Sequence, residues 1–115
     1  MTQSNEFMLL FRFEASNNYQ PTAAEEAEMH QQWGNFIGNI ALQEKLVSTH
    51  QLGFEGKQVV SDSTVSEGVS LLDNQIVGGN MVVRANGIDE AVEMAKKCPI
   101  LFMGGSVEVR NLLPM

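Results

Sequence analysis

One cysteine, three prolines, one tyrosine and one tryptophan mark what this 115-residue chain has little of. A lone Cys98 cannot close an internal disulfide, and with only His30 and His50 beside it there is no metal-ligand spacing, so neither a metal nor another cofactor is expected. Cations are scarce as well: seven Lys plus Arg stand against 14 Asp plus Glu, a net charge of −7, with no basic block anywhere. Such a surface repels phosphates, which argues against autonomous nucleic-acid binding. No apolar run approaches the roughly 18 residues of a membrane span. The start, Met1-Thr-Gln-Ser-Asn-Glu6, lacks the basic flank of a signal peptide, so no membrane partner is expected and the expected compartment is the cytoplasm.

What the chain does have is apolar content. A 43% hydrophobic fraction is that of a sequence able to bury a core, and the length suits one domain over residues 1–115. The segment Phe7-Met-Leu-Leu-Phe-Arg-Phe13 is short and rich in aromatic and aliphatic residues, which reads as a strand. Alternation puts Phe7, Leu9, Phe11 and Phe13 on one face and Met8, Leu10 and Arg12 on the other. Both faces are largely apolar. A chain this small can cover only one of them with helices, which leaves the second for a partner subunit.

After an Asn-rich turn at Ser16-Asn-Asn-Tyr19 and Pro21, Thr22-Ala-Ala-Glu25 has the spacing of a capping box. The helix it opens should run to about Gln43, with Met29, Trp33, Phe36, Ile37 and Ile40 in one apolar stripe. Gly34 and Gly38, one turn apart, suggest a close backbone neighbour. Leu46–Leu52 and Gln58-Val-Val60 read as two strands joined by a turn at Glu55-Gly56-Lys57, and Ser61–Asp73 as a long surface loop. Gly79–Ala85 reads as a strand and Ile88–Lys97 as a second helix, with acids in its first turn, lysines in its last and Pro99 as its stop. Ser106–Arg110 closes the series as an alternating strand. This order of strands and helices predicts an α+β domain of the ferredoxin-like, split βαβ type with an antiparallel sheet. With both helices on one face, pairing with a second copy through the bare face is expected.

Several segments, in this order, resemble the YCII-related (DGPF domain) family: Phe7-Met-Leu-Leu-Phe-Arg12, Trp33, Gln75-Ile-Val-Gly-Gly79, Asp89-Glu-Ala91 and Gly105-Ser-Val-Glu-Val-Arg-Asn-Leu-Leu-Pro114. The resemblance spans nearly the whole chain and implies a homodimeric α+β barrel. The family's Asp-Gly-Pro-Phe or Asp-Gly-Pro-Tyr motif falls at Glu67-Gly-Val-Ser70, where only the glycine and an acid remain, and the aromatic that commonly follows the Gly-Gly pair is Asn80. Some relatives carry names implying transcription initiation, a label the acidic surface does not support. A few are described as enzymes acting on small aromatic or chlorinated compounds through a histidine and an aspartate, a pair that does not map residue by residue onto this chain.

Alternation on neighbouring strands places Arg12, Asn80, Arg84, Glu108 and Arg110 together on the open face. Guanidinium groups hold carboxylates in a forked geometry, so this cluster, with Trp33 as an aromatic wall, is a candidate pocket for a small anionic or aromatic molecule. The competing reading is structural: Glu108 pairs with an arginine across strands, and Trp33 is core. A lyase, isomerase or dehalogenase-like enzyme would instead use His30 or His50 with Glu67 or Asp62. A structural or regulatory partner-binding role is the third possibility. Cys98, at a helix C-terminus where the dipole is negative, is a poor candidate nucleophile.

Overall fold

The computed structural model of the chain describes residues 5–14, 22–53, 55–71 and 75–113. Its architecture follows from β1 (Glu6–Glu14), a nine-residue strand with apolar side chains on both faces. Phe7, Leu9 and Phe11 are at most 5% exposed and point into the core, while Met8, Leu10 and Arg12 are half-buried on the opposite side. The other strands of the main sheet are β2 (Leu46–Gln51), β5 (Gln75–Arg84) and β6 (Ser106–Asn111), in the order β2-β5-β1-β6 with every neighbouring pair antiparallel. Helix α1 (Ala23–Leu42) joins β1 to β2, and β5 lies between those two strands; α2 (Ile88–Ala95) joins β5 to β6, and β1 lies between those. This interleaving of two βαβ units is compatible with the expected ferredoxin-like α+β fold.

The capping box at α1 is present: Thr22 Oγ1 accepts the Glu25 N–H at 3.1 Å, and Glu25 Oε1 accepts the Thr22 N–H at 3.0 Å. The helix lays Phe36 and Ile40 into the core, with Trp33 and Ile37 packed beside them. Phe11, Trp33 and Phe36 meet edge to face, their centroids 5.2–6.5 Å apart. Gly34 and Gly38 have no heavy atom within 4 Å of where a side chain would begin, so the close backbone neighbour expected there is not found. They sit on the outward side of the helix and are simply weak helix formers in it. Helix α2 ends at Ala95, shorter than expected, because Pro99 opens a 3-10 turn over Pro99–Met103 that returns the chain to β6. Gly104, at φ 82°, ends that turn, and at Gly105 a side chain would collide with the Arg12 carbonyl. The bare backbone there lets β6 dock beside β1 next to Arg12.

Between β2 and β5 the chain departs from expectation. The strand β3 (Lys57–Val59) does not pair with β2; it pairs with β4 (Val65–Glu67), drawn from the segment read as loop, and the two make a separate ribbon. Three-residue strands carry too few alternating positions to be told from a polar loop by period. The Asn-rich turn at Ser16–Tyr19 and Pro21 lie outside the described residues. Gly78 is the extra residue of a bulge where pairing shifts between Phe11 and Arg12, and the Phe13 ring occupies the space a side chain there would need.

The molecule measures 45 × 41 × 19 Å, with a radius of gyration of 15.8 Å against about 13 Å for a typical domain of this length. A thickness of 19 Å accommodates one sheet and one helical layer, whose centres lie about 10 Å apart, and leaves no room for a third. Among the described residues no helix covers the second face of the sheet, where Met8, Leu10 and Val77 are half-buried and Val82 is 8% exposed. Leu9 is fully buried at the middle of β1. Leu9→Ala should cost about 2–5 kcal/mol of unfolding free energy, read from urea denaturation followed by circular dichroism.

Candidate functional site

The second face of the sheet is built by register. Along β1, Leu10 stands between Asn80 of β5 and Glu108 of β6; Met8 stands between Val82 and Arg110; Arg12 stands between Val77 and Ser106. Cross-strand partners share a face, so these side chains all point to the open side. Glu6 pairs with Arg84 at one end, and on the edge strand His50 pairs with Asn80 and Ser48 with Val82. Arg12, Arg84 and Arg110 are the only arginines in the sequence, and all three belong to this face.

At the centre Glu108 lies between two guanidiniums. Arg12 Nη2 is 2.7 Å from Glu108 Oε1, with the arginine side chain only 17% exposed, and Arg110 Nη1 is 3.4 Å from Glu108 Oε2. Two cations on one anion leave this row positive. With Arg84 and the carboxylates of Glu6 and Glu14 included, three arginines stand against three carboxylates, so the face as a whole is neutral in a chain of net −7 and its positive excess is confined to the central row. Beside the row, His50 Nδ1 lies 3.3 Å from Asn80 Oδ1, a bond the imidazole makes as donor when its proton is on Nδ1, leaving Nε2 free to accept. Ser106 Oγ donates to Gln75 Oε1 at 2.9 Å. Met8, Leu10 and Val82 provide the apolar floor. The arrangement offers hydrogen-bond donors, two neighbouring guanidiniums and half-buried apolar side chains, which is the chemistry for holding a small carboxylate or aromatic acid.

The expected site residues separate into three groups. Arg12, Asn80, Glu108 and Arg110 come together as the strand alternation indicated, and His50 joins them. Trp33 lies on the other side of the sheet, half-buried against Phe11 and Phe36, and the exposed His30 is on α1, also on that side. Asp62 and Glu67 belong to the ribbon: Asp62 Oδ1 accepts the Thr64 N–H at 2.9 Å, and Glu67 pairs with Lys57 at 3.4 Å. Bonds from Thr64, its side chain first and then its backbone, hold the Asp62 carboxyl below its ordinary range. The structure brings neither carboxylate to His50. The His50–Asn80 pair was missed as a pair because it depends on the β2–β5 register, which shifts between Leu46 and Ser48. Among the described residues no group of three His, Cys, Asp or Glu side chains is placed to hold a metal ion.

A cavity of about 550 Å³ opens on the helical side between α1, α2 and the 3-10 turn, lined by Asn35, Asn39, Lys45, Glu90, Met94 and Phe102 among others. Its main charges are already matched: Lys45 Nζ lies 2.8 Å from Glu90 Oε1 and holds that carboxyl below its usual range. The cleft has no guanidinium to hold a carboxylate in a forked geometry, so the open face is the stronger candidate. Cys98 is fully buried against the core, and burial pushes its thiol up to about 11. The helix-end dipole invoked from the sequence is secondary to this desolvation.

No protein-family model matches the chain, and no curated protein matches it in sequence. Among the described residues no helix is long and apolar enough to cross a membrane.

Two predictions follow from these environments. Glu108→Ala leaves the half-buried Arg12 without its closest partner and should cost about 1 kcal/mol, whereas Arg12→Met combined with Glu108→Leu should cost less, because the only charge left without Glu108 is then the solvent-exposed Arg110; chemical denaturation of the three proteins decides it. Cys98 has a folded value above that of an unfolded thiol, so the protonated form is favoured on folding. That stability is complete below about pH 9 and is lost as pH rises through about 11, by up to roughly 2–3 kcal/mol. Cys98→Ala should flatten that part of the stability-versus-pH curve, and native Cys98 should resist a thiol-specific reagent at pH 8.

Proposed function

We propose that the protein is a homodimer of the YCII-related type, a dimeric α+β barrel, that binds a small anionic or aromatic molecule in a cleft on the open sheet face. The carrying observation is the row Arg12–Glu108–Arg110 beside Asn80 and His50, set among Met8, Leu10 and Val82 on a face that no helix among the described residues covers. Met8, Leu10 and Val77 are only half-buried on this face, and a second copy stacked on it is an economical way to complete their burial. Stacking also removes water from around Arg12, which strengthens any ion pair made there. The polar row then serves a pocket at the margin of the dimer rather than a dry interface. Glu67–Ser70, at the place of the family's naming motif, starts at the last residue of β4.

Benzoate, a planar aromatic carboxylate, is a suitable probe. Calorimetric titration should show saturable binding near one molecule per chain, with a rise in melting temperature, and Arg12→Gln should weaken it about tenfold or more. Absence of both heat and thermal shift with benzoate and with its simple ring-substituted analogues, together with a crystal structure in which Arg12 and Asn80 are sealed under a partner, would defeat the proposal.

A further inference from the structure

The ribbon between β2 and β5 forms an arm with no support of its own. Its strands pair only with each other, and residues 57–68 are exposed apart from the half-buried Gln58. Val59 and Val65 face one another across the ribbon at 70% and 54% exposure, with Val60 beside them at 51%. An isolated two-stranded ribbon is marginal in water, and a β-branched pair this exposed lacks the packing that usually holds one. The arm is also acidic: Glu55, Asp62 and Glu67 against Lys57 leave it two negative charges.

Its position in the fold adds a direction. The arm leaves the sheet where β1 ends, since Gln51 pairs with Gly79, the Leu52 N–H donates to the Gly78 carbonyl, and Gln75 pairs with Glu14. Arg84 and Arg110 lie at the other end, paired with Glu6 and Met8 where β1 begins. Nine residues of strand, about 30 Å, separate the two ends, so an arm that extends away from the sheet does not meet its own arginine end. If two open faces stack about a two-fold axis perpendicular to the strands, the strands run oppositely and each arm arrives at the partner's arginine end. An axis along the strands would instead set two acidic arms side by side. From Leu52 to Asp62 the arm can reach about 30 Å, more than the ~10 Å between stacked sheets.

We infer that the β3–β4 arm of one copy clasps the Arg84 and Arg110 end of the open face of a second copy, acid against arginine and valine against the exposed sheet. This rests on the proposed open-face homodimer and adds its orientation and the element that fixes it. Each copy contributes arm and face, so the contact is made twice.

A charge exchange tests it. In Glu55→Lys/Asp62→Asn the arm changes from two negative charges to one positive, while asparagine keeps the acceptor that the Thr64 N–H uses. In Arg84→Glu/Arg110→Glu the face is reversed. Sedimentation equilibrium at low salt should show each variant alone dissociating with a Kd raised about tenfold or more, and an equimolar mixture recovering near wild-type affinity, because both arm-to-face contacts in the mixed dimer join opposite charges. Circular dichroism of each variant confirms that the monomer is folded. A wild-type dimer that the arm variant leaves unchanged overturns the clasp and spares the open-face dimer. A mixture that fails to recover also overturns the clasp. A wild-type protein that stays monomeric at several hundred micromolar overturns the clasp and the dimer together.

Discussion

A strand that is apolar on both faces, in a chain with helices enough for one, is the constraint on which the rest of this structure depends. β1 sits inside the sheet between β5 and β6, so whatever its two faces need, the sheet must provide. Helices of 20 and 8 residues meet that need on the side of Phe7, Leu9 and Phe11. On the side of Met8, Leu10 and Arg12 no helix among the described residues does, and the 19 Å thickness is the measurable consequence. Burial of apolar surface is the main term that offsets chain entropy, so a face left in this state is costly unless it finds a cover.

Charge is distributed with the same asymmetry. In a chain with twice as many acids as bases, all three arginines are on the sheet face away from the helices and the four lysines are on connections and the ribbon. Arginine is less strongly hydrated than lysine and keeps its charge when water is withdrawn, which makes it the cation best suited to a half-buried position such as that of Arg12. Glu108 is within 3.4 Å of both Arg12 and Arg110 and keeps their charges in order, whether for a partner or for a ligand.

Much of this was legible from residue order because the signals were long or chemically specific. The alternation of β1, the capping box at Thr22 and Glu25 and the sharp stop at Pro99 each have a local mechanism that tertiary structure did not override. The open-face row was legible for the same reason: once β1, β5 and β6 were strands, alternation alone put Arg12, Asn80, Glu108 and Arg110 on one side. What failed to show was whatever depended on register or on very short elements. The β3–β4 ribbon has three residues in each strand, and the bulges at Gly78 and next to Val47 shift pairing by an amount no sequence period encodes. Trp33 and His30 illustrate a different limit, since helix periodicity gives a face but does not say which side of the sheet the helix will choose.

On the proposed reading, Glu108 also sets what kind of ligand the open face favours. A carboxylate entering the cleft competes with Glu108 for Arg12, and exchanging one ion pair for another of the same geometry yields little net energy. The gain must come from elsewhere: from the apolar floor of Met8, Leu10 and Val82, from the Asn80 amide donor, and from water released as the face closes. A small hydrophilic acid such as acetate provides only the exchange. A flat apolar acid provides the exchange and the burial together, so selectivity in this site falls on the hydrocarbon part of the ligand, with the guanidiniums fixing its orientation.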